Sequence, residues 1–108
     1  MANTFKLKTK ANVGVTTVGI YTAPAATTTV VIGITLSNTS GSGVKVGVGI
    51  TRAGTTEDVK LLKNAPIPQG SSLEFMGGNK VVLETTDTLT VDSDTNNSVD
   101  AALTIMEI

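Results

Sequence analysis

Between residues 30 and 37 the chain alternates, with Val30, Ile32, Ile34 and Leu36 set against Val31, Gly33, Thr35 and Ser37. Successive side chains of a strand point to opposite faces, so a period of two predicts a strand with one buried face. Each Val, Ile or Leu fully buried contributes roughly 1.5–3 kcal/mol, enough for this row to anchor a core. A polar break, Asn38-Thr39-Ser40-Gly41-Ser42-Gly43, follows, and the alternation restarts with Val44, Val46, Val48 and Ile50 against Lys45, Gly47, Gly49 and Thr51. The two rows predict a hairpin at the centre of a sheet.

The same pattern, weaker and shorter, recurs on both sides. Over residues 4–10 Phe5 and Leu7 oppose Lys6 and Lys8, a strand whose lysine face suits an exposed rim. Val13 and Val15 shift phase to Val18 and Ile20 across Thr16-Thr17, which predicts a bulge or a break. Tyr21-Thr22-Ala23-Pro24 should run extended, because a residue before proline disfavours the α region. Arg52-Ala53-Gly54-Thr55-Thr56 reads as a turn into a strand over residues 57–63, and Ile67-Pro68-Gln69-Gly70 as a stiff loop. Leu73 and Phe75 face one way, Gly77-Gly78-Asn79 predicts a hairpin turn, and Val81 and Leu83 face the core beyond it. Thr85-Thr86-Asp87 turns the chain into Leu89 and Val91, residues 92–98 form a polar loop, and Val99, Ala101, Leu103 and Ile105 close the fold. About eight short strands at this spacing predict an all-β, two-sheet antiparallel β-sandwich, jelly-roll or immunoglobulin-like in order. Residues 1–108 are expected to form one domain, with residues 1–12 an edge strand or an inter-subunit arm.

Composition narrows the chemistry. Eight basic and nine acidic residues leave a net charge of −1, which supplies no electrostatic footprint for nucleic acid or an anionic membrane. No cysteine is present, so disulfides and thiolate zinc sites are excluded and packing must supply the stability. The opening MANTFKLKTK has no apolar segment of signal-peptide type and no run reaches membrane length, so the expectation is a chain that folds in the cytoplasm.

Histidine is absent as well, which removes the commonest general base and every Ser-His-Asp or Cys-His arrangement. Carboxylate pairs could still act, but the acidic residues stand singly, and neighbours such as Glu57-Asp58 point to opposite faces of a strand. The reading is a non-enzyme with no cofactor. Asp92, Asp94 and Asn96 space oxygen ligands as a calcium loop does, and Asp100 could add another. Asn97 stands where such a loop needs glycine, however, and Leu103 where it needs a bidentate glutamate, so no metal is expected. Gly47 and Gly49 lie mid-strand, where no helix follows to complete a phosphate cradle. With Lys45 beside them and Gly33 and Thr35 on the next strand of the expected hairpin, they predict a nearly bare sheet face that another chain could cover. On that reading, threonine at positions 47 and 49 should stabilise the isolated chain and weaken assembly. Arg52, the one arginine, reads as a solvated ion pair, and three scattered aromatics argue against a sugar-binding platform.

Several stretches together resemble a family. Tyr21-Thr22-Ala23-Pro24-Ala25, Leu36-Ser37-Asn38-Thr39-Ser40-Gly41, Ile67-Pro68-Gln69-Gly70-Ser71-Ser72-Leu73, the run from Leu83 through Asp87 and Leu89 to Val91, and the closing Glu107-Ile108 look like small β-sandwich virion proteins of tailed bacteriophages. The resemblance spans roughly residues 18–108 and consists of turns and core positions, so it transfers no catalytic or ligand residue. It implies a virion component folded in the host cytoplasm, most simply a capsid decoration or cement subunit that contacts the major capsid protein and copies of itself. A tail or fibre component acting as a host-receptor-binding module is the alternative, with residues 67–70 and 92–98 as its candidate loops.

Overall fold

The computed structural model describes residues 3–52, 57–75 and 80–108, all strand, turn or coil. The strands are β1 (Thr4–Val13), β2 (Val18–Thr22), β3 (Thr29–Asn38), β4 (Val44–Arg52), β5 (Glu57–Ile67), β6 (Ser72–Phe75), β7 (Val81–Leu83), β8 (Thr88–Ser93) and β9 (Val99–Glu107). One sheet runs β1-β9-β3-β6, with β7 also on β3, and the other runs β2-β8-β4-β5. Every pairing is antiparallel. Among the described strands, only β4 and β5, and β6 and β7, follow one another in sequence within the same sheet. Such repeated crossing is the order of a jelly roll, which resolves the choice between the two sandwich types.

The predicted core faces hold. Val44, Val46, Val48 and Ile50 of β4, Leu89 and Val91 of β8, and Val99, Ala101, Leu103 and Ile105 of β9 are all buried. Between the sheets they meet Val31, Ile34 and Leu36 of β3, together with Tyr21, Ile67 and Leu83. The break before residue 18 is real, since Val13 ends β1 in the core while Val15 is exposed.

The central hairpin is not there. β3 and β4 lie in different sheets, so the polar break at 39–43 is a bridge across the sandwich. Along β3 the buried phase also changes: Thr29 and Val31 face inward, then Ile34, Leu36 and Asn38, with the register against β9 slipping between Val31 and Gly33. Apolar side chains occupy both phases at Val30-Val31-Ile32, so alternation alone could not show the bulge; the mid-strand glycine was its sign. β6 and β7 do not pair as a hairpin, because residues 72–75 and 81–83 follow one another along the same edge of β3. The expected turns at 77–79 and 53–56 lie outside the described residues. β5 continues past residue 63 through Pro66 to a buried Ile67, two register slips against β4 absorbing the extra residues. Bulges and a proline of this kind are tolerated because β5 is an edge strand.

Candidate functional site

At one end of the sandwich the two termini meet, with Thr4 paired to Glu107 and Glu107 to Thr29. Paired residues share a face, so Glu107 points inward. The buried Tyr21 hydroxyl donates to Glu107 Oε2 at 2.6 Å and lies 2.7 Å from the hydroxyl of the fully buried Thr29. Lys6 Nζ reaches Glu107 Oε1 at 2.9 Å. The Tyr21 hydroxyl bond and then Lys6 hold the Glu107 carboxyl below its ordinary range. Burial first, and the bond to Glu107 second, push the Tyr21 hydroxyl up to about 12. The cluster fastens β1, β2, β3 and β9 together, and sequence reasoning missed it because Tyr21 and Glu107 lie 86 residues apart and nothing in the alternation links them.

Arg52 is more than a solvated ion pair. It spans the sandwich from β4 to the β7–β8 turn, with Nη2 2.7 Å from Glu84 and Nε 3.0 Å from the buried Asp87. These contacts raise its pKa, Asp87 contributing most. Asp87 in turn accepts the Glu84 amide at 3.0 Å, which closes the turn.

The candidate cation loop does not converge. Asp92 accepts the Thr17 hydroxyl at 3.0 Å, Asp94 the Lys45 amide at 3.1 Å, Asn96 the Val15 amide at 3.3 Å and Asp100 the Asn12 amide at 3.0 Å. Four acceptors thus tie down three segments: the end of β1, the β1–β2 connection twice, and the start of β4. The Lys45 amide, ahead of the Thr95 hydroxyl, lowers the Asp94 pKa. Among the described residues no three acidic or other ligating side chains gather. The loops proposed for recognition do meet: Asp94, Pro66, Ile67 and Pro68 border one open hollow of about 290 Å³ beside Lys45.

The bare face is divided between the two outer surfaces of the sandwich, because Gly33 and Thr35 belong to one sheet and Lys45, Gly47 and Gly49 to the other. On the second sheet it is also occupied. A Cβ on Gly47 would stand 2.6 Å from Asp92 Oδ1 and 3.2 Å from the Leu62 carbonyl; one on Gly49 would stand 2.8 Å from the Val59 carbonyl. Lys60 and Asp92, paired at 3.8 Å, lie over these glycines. The expectation that threonine there stabilises the chain is therefore corrected, since the bulged β5 backbone leans into the space. Gly33 differs: its nearest neighbour would be the Phe75 carbonyl at 3.6 Å, and with Thr35, Glu74 and Phe75 it lines an open hollow of about 490 Å³.

The largest departure concerns β1, which does lie at the rim. Lys6, Lys8 and Lys10 pair with Ile105, Leu103 and Ala101, so the lysines take the inward side and Phe5 and Leu7 the outer one. Phe5 is 67% and Leu7 65% exposed. Beside them on the outer face are Met106 and Val30, both half-buried, and the exposed Val82.

No family model matches the sequence, and no curated protein matches it. The fold is similar to that of chains in several solved structures. A chain of the infectious bursal disease virus T13 particle superposes with a TM-score of 0.59 at 14% identity over 98% of this chain and 31% of that one. A chain of the cyanophage Pam1 capsid asymmetric unit gives 0.53 at 13% identity, covering 97% and 84%. A chain of the disulfide-linked pili of Bacillus endospore appendages gives 0.53 at 16%, covering 97% and 85%. This chain spans about a third of the bursal disease virus protein. At such identities the likeness is one of fold alone, a β-sandwich that these viral and pilus chains share.

Proposed function

We propose that this chain is a non-enzymatic structural subunit of a bacteriophage virion, a decoration or cement protein on the capsid that fits the major capsid protein and further copies of itself. One observation carries the reading: the polar groups that could have formed a reactive site are spent on tying strands together, while large apolar side chains stand on the outer face. Among the described residues every buried side-chain polar atom has a hydrogen-bond partner. Phe5, Leu7 and Val82, by contrast, are left to solvent. Such a surface is built to be covered rather than to turn over a substrate. The capsid-like fold supports this reading, and the lack of cysteine separates the chain from a disulfide-linked pilus.

Mass spectrometry of purified particles should find the chain in numbers comparable to the major capsid protein, and a particle map should place it on the shell. Its absence at high copy number would end the proposal. Density at the tail would favour the second reading, a host-receptor-binding module, for which the two loops meeting at the hollow beside Lys45 are the supporting observation.

A further inference from the structure

β1 is a ten-residue edge strand in which Val13 alone is buried. Its inward side should face the second sheet, yet Lys6 and Lys10 are exposed and Lys8 half-buried, so little of β2 reaches over it. The strand is therefore open along one edge and largely open on both faces. Edges of this kind are templates for another strand; inward-pointing lysines guard such an edge against most strands, and a strand that sets opposite charges against them is the one they would favour. Lys6 has Glu107; among the described residues Lys8 and Lys10 have no carboxylate within ion-pair distance.

We propose that the free edge of β1 takes up an extended segment of a different protein in which acidic and apolar side chains alternate. Residues opposite one another in a ladder share a face, so such a segment places its acids against the lysine row and its apolar side chains against Phe5 and Leu7. A second copy fits poorly. Pairing β1 with itself would set the lysine rows face to face, and like charges opposite one another repel. Nor does another part of this chain supply the pattern, because Asp92 and Asp94 are its only acids two residues apart, and Asp94 lies beyond the end of β8. The inference does not depend on the virion role, since it rests on the strand alone.

The test is amide hydrogen exchange on the whole chain, with a capped peptide of β1's length alternating Glu and Val, and a Lys-Val peptide as its counterpart. At a concentration ten times its Kd the Glu-Val peptide should slow exchange of the outward β1 amides about tenfold, and the Lys-Val peptide should not. Among the described residues Lys8 and Lys10 form no ion pair, so K8E/K10E should keep the fold, which unchanged exchange in β4 and β8 verifies, and should reverse the preference. Several results would overturn the proposal: no protection of β1, equal protection by both peptides, protection at β5 instead, or an unaltered preference in K8E/K10E. Protection that grows with protein concentration alone would also overturn it, by making a second copy the occupant.

Discussion

At the level of single residues, the glycines of the two sheets make opposite demands. Gly49 has the Val59 carbonyl, a backbone atom that cannot swing away, at 2.8 Å from any added Cβ, whereas among the described residues Gly33 has nothing nearer than 3.6 Å. Gly49→Ala should therefore cost about 1–3 kcal/mol by forcing the β4–β5 ladder apart. Gly33→Ala should be neutral or stabilise by about 0.5 kcal/mol, because it lowers the freedom of the unfolded chain. Urea unfolding of the two variants checks the contrast, and equal losses would contradict it. The Tyr21–Glu107 pair sets limits at both ends of the pH scale. Glu107, with its pKa depressed in the fold, contributes stability present above the unfolded carboxylate value of about 4.3 and lost as pH falls through the lower folded value. Tyr21, raised to about 12, contributes stability intact below about 10 and lost between there and about 12, on the order of 2–3 kcal/mol. Glu107→Gln should flatten the acid limb of stability against pH and bring the Tyr21 titration down; an unchanged acid limb would show that other carboxylates govern it. Neither the glycine contrast nor this pair was legible in alternation, since each depends on what a distant strand places beside the residue.

Among the elements, strand existence and inward phase were readable wherever one face is purely aliphatic, as in β4, β8 and β9, because burial leaves only one way to seat such a row. The phase failed where both sides are apolar, at Val30-Val31-Ile32, and where the larger side chains turned outward, at Phe5 and Leu7. Pairing was harder still. A short polar break fits a hairpin and a bridge between sheets equally well, and the choice is made by which neighbours complete the two layers. Hence β3 finds β9, β6 and β7, while β4 finds β5 and β8. The interface residues inherited that error: Gly33 and Thr35 were grouped with Lys45, Gly47 and Gly49 through a ladder that does not form. The polar loop expected at 92–98 starts two residues later, because Asp92 and Ser93 end β8 against β4; its acids tie segments together rather than gather around an ion, and the residues alone could not reveal their distant partners.

For the molecule as a whole, the question is how far β1 belongs to the body it borders. Its pairing with β9 joins the two ends of the sequence, Thr4 opposite Glu107. Each ladder hydrogen bond is worth about 0.5–1.5 kcal/mol net, while fixing each residue's backbone costs about 1–2 kcal/mol. Apolar burial normally tips that balance, and with Phe5 and Leu7 exposed β1 gains little of it before Val13. Removing residues 1–10 leaves the other eight strands, both sheets and every residue of the buried cluster, Val13 included. A chain lacking residues 1–10 should therefore unfold in one cooperative step, with a loss of no more than about 3 kcal/mol, part of it from Glu107 left without Lys6. In the intact chain the same weakness should appear as fast amide exchange along β1 while β4 and β8 stay protected, because local opening of an unburied strand costs little. Denaturation of the shortened chain and exchange in the full one measure the two halves of this balance separately. If the shortened chain fails to fold, β1 is integral to the sandwich and cannot serve as an arm; if it folds and no longer binds the Glu-Val peptide, the first strand is the part that a partner holds.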